Sequence, residues 1–372
     1  MMDLSFLRNA ESLPPQVRRA KGSVAGRSLK EVVECPEGFY VLVSMKLPRV
    51  SVHLGHVSIM QVAVWFQQTY GCPIVIHMRD DLDFLTATVK QKGSERPIQF
   101  TESRTKAKNM ATELLQCGVD AEKTFVCNTT SCVGRLFHTM LHIEKYTQCL
   151  HIESELGVTT SNNIGMYAHP ATVAAMTQPA SLAGLVPSKA ACLAVTDTTD
   201  EPVWHTALRY SEATGAPAPC VLMAAPVPSL RQVGSVIEED APELMGMQNS
   251  TLFLADAVGK KISNKLNKFA VSGGRETVEE QKERGADLTL DVPFALYDLL
   301  ESDDFKVESI RAGYGTGGSG MVNETGATEF MMTGNVKKTV AELVLGIMGP
   351  MASRTKEAKD LYKVCSEPRQ LY

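Results

Sequence analysis

The 372-residue sequence predicts an α/β fold, a parallel sheet with helices on both faces, followed by an all-helical C-terminal domain. Three observations carry that reading. Short, apolar, β-branched runs alternate with longer stretches of helical periodicity through the first two-thirds of the chain. Strands that alternate with helices pair in parallel, because each crossover returns the chain to the same end of the sheet. After about Asp256 the strand-like runs stop and helical patterns follow one another.

Each element has its own signal. "GFYVLVSM" (residues 38–45) reads as a buried strand. The turn His53-Leu54-Gly55-His56 follows, and "VSIMQVAVWFQQTY" then carries the apolar stripe of a helix. "CPIVIHM" (72–78) is a second buried strand. "RTKAKNMATELLQCGVD" is a helix stopped at Gly118, a residue type suited to the left-handed position after a helix. "KTFVCN" is the third strand and "VGRLFHTMLHIEKYTQ" the next helix. "AACLAVT" and "APCVLMA" are further strands around the helical "VWHTALRYSEATG". Beyond residue 256, "DAVGKKISNKLNKFA", "RETVEEQKERG", "VPFALYDLLESDD" and the long run 335–365 are all helical by propensity. "GYGTGGSGMVNETGAT" (313–328) is expected to be a glycine-rich loop. The chain thus divides into an N-terminal extension (1–37), an α/β unit (38–256) and a helical unit (257–372), with no repeat at a solenoid period.

Composition narrows the function classes. Apolar residues make up 44% and charged residues 21%, enough to bury a sizeable core without staples. A net charge of −5 excludes a bulk basic field for nonspecific nucleic-acid or membrane binding. No apolar run is long enough to span a bilayer. The nine cysteines form no C-x-x-C pair and are odd in number, which points to reduced thiols in a reducing compartment. Cys127 and Cys132 are expected simply to pack. The cytoplasm is the expected location, with the mitochondrion as the alternative. Arg8, Arg18, Arg19, Lys21, Arg27 and Lys30 give the start of the chain a weak transit-peptide character that Asp3, Glu11 and the Pro14-Pro15 pair oppose. His138 and His142 stand at i, i+4 on one helix, but no third ligand is evident and no metal site is expected.

The His53–Gly55–His56 turn has phosphate-binding chemistry. Its glycine allows close approach, its imidazoles donate to oxygens, and a helix N-terminus behind it adds partial positive charge. With seven runs in order it resembles the tryptophanyl-tRNA synthetase family, class I, Trp/Tyr subgroup, eukaryotic type. These are "FYVLVS", "PIVIHMRDD", "CGVDAEKTFV", "STLFLAD", "NKFAVSGGRETVEE", "ESDD" and "MTGNVKKTVAELV", and the similarity runs from about Gly38 to Leu371. The resemblance implies a Rossmann-type domain, an anticodon-binding-like helical domain, a homodimer, and ligation of tryptophan to tRNA through an adenylate with ATP and Mg²⁺.

Measured against the family's pattern, the chemistry is depleted. The Lys-Met-Ser-x-Ser-type loop that holds the leaving phosphates falls on Pro242, Glu243, Leu244, Met245 and Gly246, which include no lysine or serine. "KISNK" (261–265) lies beyond Asp256, in a helical stretch that the family has in any case. The family's tryptophan-reading tyrosine, glutamine, glutamate and second glutamine fall on Leu42, His77, Leu82 and Val173. Its Asp-Gln-Asp-Pro step becomes Thr199-Asp200-Glu201-Pro202. Losing one preorganised donor costs on the order of 3–4 kcal/mol of transition-state stabilisation, and here several are gone. The sequence therefore predicts a degenerate, non-catalytic homologue with no cofactor, acting as a structural or RNA- or protein-binding subunit of a larger assembly. An active tryptophan–tRNA ligase is the alternative. For RNA the candidates are Ser272, Gly273, Gly274 and Arg275, with Asp303 and Asp304. A helix-joining turn is the competing reading of Ser-Gly-Gly.

Overall fold

A computed structural model describes residues 4–19, 24–91, 94–231, 249–315, 321–322 and 328–372. Its sheet contains β1 (Val24–Gly26), β2 (Phe39–Lys46) and β3 (Ile74–Arg79). After a small separate hairpin of β4 (Thr88–Gln91) and β5 (Ser94–Pro97), it continues with β6 (Thr124–Asn128), β7 (Ala191–Asp197) and β8 (Cys220–Ala224). The order across the sheet is β1-β8-β7-β2-β3-β6. All neighbours are parallel except β1, which runs antiparallel on β8. The α/β expectation therefore holds, with one strand that the sequence reading left out.

Side chains that alternate along a strand serve opposite faces. Val41, Val43 and Met45 of β2 pack into one core, with Ile74, Ile76 and Met78 of β3. Tyr40 and Leu42 pack into the other, with Val75 and Cys127. The first core runs without a break into the helical part, where Ile262, Leu266, Leu296, Val340 and Val344 join it. The C-terminal helices thus extend the core of the sheet rather than enclosing a second one.

The crossover from β2 to β3 is the helix Leu54–Tyr70. The next, Phe100–Leu114, tightens into a 3₁₀ turn and ends at Gly118 with φ 91°, the C-cap the sequence predicts. The C-terminal part holds helices Lys261–Phe269, Val278–Arg284, Val292–Leu300, Asp304–Tyr314, Thr333–Ala352 and Thr355–Cys365. The single run expected over 335–365 is two helices divided at Ser353–Arg354, just after Pro350, whose ring cannot continue a helix with full hydrogen bonding. In the glycine-rich stretch, Met321–Val322 pairs antiparallel with Thr328–Glu329, and residues 316–320 and 323–327 lie outside the described residues. Part of the N-terminal stretch is built into the fold. β1 belongs to the sheet, and Leu29 and Val32 of helix Leu29–Val33 are buried in the first core. No helix among the described residues is long and apolar enough to cross a membrane.

Candidate functional site

In a parallel α/β sheet, ligands enter at the C-terminal ends of the strands. Here those ends are filled by a chain of hydrogen-bonded side chains. Ser44 and His77 are register partners on β2 and β3. They meet on one face, with Ser44 Oγ 2.9 Å from His77 Nδ1. His77 Nε2 lies 2.8 Å from Thr129 Oγ1, and Thr129 donates to Asp81 at 2.7 Å. Arg79 Nε donates to Ser44 Oγ at 2.9 Å. This pattern fixes the direction of every bond. Ser44 receives from Arg79 and gives to His77 Nδ1; His77 carries its proton on Nε2 and gives to Thr129, whose hydroxyl proton points at Asp81. Burial holds the His77 imidazole down at about 3 despite nearby Asp81, so the ring is neutral at physiological pH.

The Arg79 side chain is fully buried, and its guanidinium forks onto Asp200 at 3.1 and 2.5 Å. Lys46 Nζ reaches the same carboxylate at 2.8 Å. Burial works against the Asp200 charge, but Arg79 and Lys46 hold its pKa below the usual carboxylate range. Asp81 is similarly opposed by burial and carried well below that range by the hydrogen bond and charge of His169, whose Nδ1 is 2.7 Å away. His169 is itself buried, and its Nε2 has no partner among the described residues. Leu42 and Val173 are completely buried, in one core cluster with Trp204. Leu82 is half-buried and lines a cavity of about 570 Å³ with Lys46, Leu47, Arg49 and Lys106. Glu201 sits in the first turn of helix Glu201–Thr214, where an acid complements the helix dipole.

The histidine turn is ordered by its own hydrogen bonds. His53 is the N-cap of helix Leu54–Tyr70. Its Nδ1 accepts from Gly55 N at 3.2 Å, while His56 Nδ1 accepts from His53 N at 3.3 Å. With both Nδ1 atoms accepting, each neutral ring has an Nε2–H left to donate. Burial, with His56 adding to it, pushes His53 well down, and burial alone brings His56 to about 4. These rings are therefore hydrogen-bond donors and not cations. The turn is braced by backbone bonds to the segment after residue 250, Leu54 N to Leu252 O and Leu254 N to Val52 O, both 2.9 Å. Glu113 brings a carboxylate to its entrance, accepting from Ser51 Oγ and Val52 N at 2.8 Å. Lys265, within "KISNK", lies over the ring of Phe253, which bridges to His53. Its ammonium is spent on Asp256 Oδ2 at 2.5 Å and Thr251 O at 2.9 Å. Pro242, Glu243, Leu244, Met245 and Gly246 lie outside the described residues.

In the helical part, Ser272 Oγ and Gly273 N donate to Asp291 Oδ2 at 2.9 and 3.0 Å, and Gly274 N donates to Ser272 Oγ. Arg275 uses its N for Gln281 and its Nε for Gly285 O. Asp303 caps helix Asp304–Tyr314 through Phe305 N and Lys306 N. Asp304 is exposed and paired with Arg19 at 2.6 Å and Arg18 at 3.6 Å. These groups make a braced junction between helices. His138 and His142 are exposed with ring centroids 4.7 Å apart.

No family model matches the chain. The cytoplasmic tryptophan–tRNA ligase of Oryctolagus cuniculus is 27% identical over 354 residues, covering 93% of this chain and 69% of that protein. The Homo sapiens cytoplasmic tryptophan–tRNA ligase is 26% identical over the same length. The chain is similar to cytoplasmic tryptophan–tRNA ligases over nearly its whole length. Solved tryptophanyl-tRNA synthetases share the fold. The Plasmodium falciparum enzyme superimposes with TM-score 0.76 at 23% identity, over 92% of this chain and 86% of the other. The tryptophanyl-tRNA synthetase homolog of Entamoeba histolytica does so with TM-score 0.77 at 22% identity, over 93% and 86%.

Within the tryptophanyl-tRNA synthetase frame, three pocket positions matched in the sequence, Leu42, His77 and Val173, fall within the core: two lie in an apolar cluster and the third in the hydrogen-bonded chain. The residues that sequence reasoning missed are Ser44, Lys46, Arg79, Asp81, Thr129 and His169. One signal was available for Arg79: it ends the apolar run "PIVIHMR", and a cation on a buried strand must find an acid.

Proposed function

We propose that this chain is a degenerate tryptophanyl-tRNA synthetase homologue that has left catalysis and serves as a structural or RNA- or protein-binding subunit of a larger assembly. The observation that supports this best is the Arg79–Asp200–Lys46 ion cluster, continued through Ser44, His77 and Thr129 to Asp81. It fills the strand ends with paired side chains, so a ligand there has to displace hydrogen bonds made in a low-dielectric interior. The aliphatic Leu42 and Val173 offer no partner to an indole N–H, and leaving such a group unpaired costs about 1–3 kcal/mol. One observation favours the alternative of an active tryptophan–tRNA ligase. The His53–Gly55–His56 turn still presents two Nε2–H donors at the start of a helix.

Thermal unfolding with Mg-ATP plus tryptophan tests the proposal. A working site at a hundredfold excess over its dissociation constant stabilises the fold by about 2.7 kcal/mol; no shift is expected here. Tryptophan-dependent pyrophosphate exchange would overturn the reading. The curated relatives are cytoplasmic proteins, and the cytoplasm is the proposed location. A homodimer is the proposed assembly unit. Its proposed contact is the exposed stripe Val133, Phe137 and Leu141, spaced one helical turn apart on helix Thr129–Lys145.

A further inference from the structure

We propose that the cavity beyond the end of β2 binds a small organic phosphate, a phosphomonoester of a short polyol or a sugar. The cavity measures about 570 Å³, within the range of small-molecule sites. The end of β2 and the residues after it supply Lys46, Leu47 and Arg49. Helices Asp80–Thr86 and Phe100–Leu114 supply Leu82 and Lys106, and the β4–β5 hairpin supplies Lys90. Neither His53 nor His56 lines the cavity, so it is separate from the histidine turn.

The balance of charge selects the ligand. Among the described residues the acids that line the cavity are Asp83 and Glu95, and each already faces a cation. Asp83 holds Lys106 at 2.5 Å, and Glu95 stands 4.0 Å from Lys90. Lys46 reaches Asp200, which already holds Arg79, so two cations share one carboxylate and one positive charge is left over. Arg49 is exposed, makes no ion pair among the described residues and adds a second. Two surplus positive charges match a phosphomonoester, which carries about −1.5 to −2 at pH 7. A single carboxylate would satisfy only one of them.

The donors and walls fit the same ligand. The Lys46 ammonium has further N–H groups beyond the one spent on Asp200, and the planar Arg49 guanidinium grips two phosphate oxygens at once. The Lys106–Asp83 pair, with Ser103 Oγ donating to Asp83 at 2.9 Å, ties the two helices together and holds the wall in place. The uncharged lining is aliphatic, Leu47, Leu82 and Ala87, apart from two threonines. No aromatic side chain lines the cavity among the described residues, so a nucleobase finds no ring to stack on. The carbon part of the ligand is therefore a short chain or a sugar.

The experiment titrates the full chain with glycerol 3-phosphate and with glucose 6-phosphate by isothermal calorimetry at constant ionic strength, beside glycerol and glucose. Saturable one-to-one binding is expected for at least one phosphate ester and for neither neutral compound. Arg49→Ala is expected to weaken that binding by about tenfold or more, the weight of a charged hydrogen bond. Lys46→Met should weaken it comparably, because Asp200 then cancels Arg79. Both variants should keep the wild-type circular dichroism, since Arg49 has no ion pair to lose and Asp200 keeps its fork from Arg79. Arg104→Ala removes an exposed cation of helix Phe100–Leu114 that does not line the cavity, and should bind like the wild type. Absence of saturable binding by both esters, equal binding of the neutral compounds, undiminished binding in Arg49→Ala, or an equal loss in Arg104→Ala overturns the proposal. If one cavity variant misfolds, the other decides.

Discussion

A fully buried guanidinium persists only where an acid and further acceptors meet it, because the uncompensated charge is expensive in a low-dielectric interior. Arg79 meets Asp200, the Ser44 hydroxyl and the Ser44 carbonyl, the last at 3.0 Å. Arg79→Ala is expected to cost about 3–5 kcal/mol in urea unfolding, since it strips Asp200 of its buried partner. Arg79→Met combined with Asp200→Leu should lose far less; an equal loss would mean the two residues are not coupled. His77 gives a pH signature. Its folded pKa is about 3 and its unfolded value about 6.5. Its contribution is therefore complete above pH 6.5 and is lost as pH falls toward 3, because the unfolded chain takes up a proton that the folded ring refuses. The slope approaches about 1.4 kcal/mol per pH unit for one such group. His56, at about 4, adds to it. Asp200 and Asp81 act only from about pH 4 downward, since their folded values are depressed. Unfolding measured between pH 7.5 and 4.5 thus excludes Asp200 and Asp81, while Asp80 and Asp197, which burial raises, work against the histidine slope toward the acid end. His77→Gln retains a donor for Thr129 and an acceptor for Ser44, and is expected to flatten that part of the profile with little loss at pH 7.5. An unchanged slope would show that His77 titrates normally.

Among the elements, the turn before helix Val278–Arg284 is the most tightly specified. A Cβ on Gly273 would lie 1.9 Å from the Asp287 carbonyl oxygen, a backbone atom that cannot swing away. Gly273→Ala is expected to destabilise by about 4 kcal/mol or more, at the exceptional end for one substitution. Gly346→Ala, on an open helix surface with nothing within 4 Å, should be neutral or stabilising in the same unfolding measurement. The contrast explains what could be read in advance. β2, β3, β6, β7 and β8 are apolar runs bounded by glycine, proline or polar residues, and their periodicity declares them. β1 is three residues long, too short for a pattern. Helix Asp80–Thr86 begins with two acids and runs only seven residues, and helix Gly165–Met176 is apolar all round with Pro170 inside it, so neither shows an amphipathic stripe. The His53–Gly55–His56 turn was legible because its chemistry is local. Arg79 and Asp200 stand 121 positions apart and Asp81 and His169 stand 88 apart, so no spacing rule connects them.

For the whole molecule, helix Thr129–Lys145 carries the clearest prediction. Cys132, Leu136, Met140 and Ile143 are buried on its inner side, while Val133, Phe137 and Leu141 are 43–55% exposed on its outer side. Phe137→Glu with Leu141→Glu is expected to halve the mass seen by light scattering after size exclusion and to leave the circular dichroism unchanged. A wild-type chain already monomeric at micromolar concentration would remove the homodimer. The sheet also depends on the chain's two extremities. β1 covers β8 on one margin. On the other, Arg369 donates to the carbonyl of Thr124 at 3.1 Å and to that of Ala121, while helix Thr355–Cys365 packs against β6. Trimming the first would strip β8 of its ladder to β1, and trimming the second would free the Thr124 carbonyl on the already marginal β6 and bare that strand, which carries phenylalanine and valine. Such a truncated chain would keep most of its interior, and its characteristic failure would be strand-to-strand clumping with its own copies rather than loss of structure.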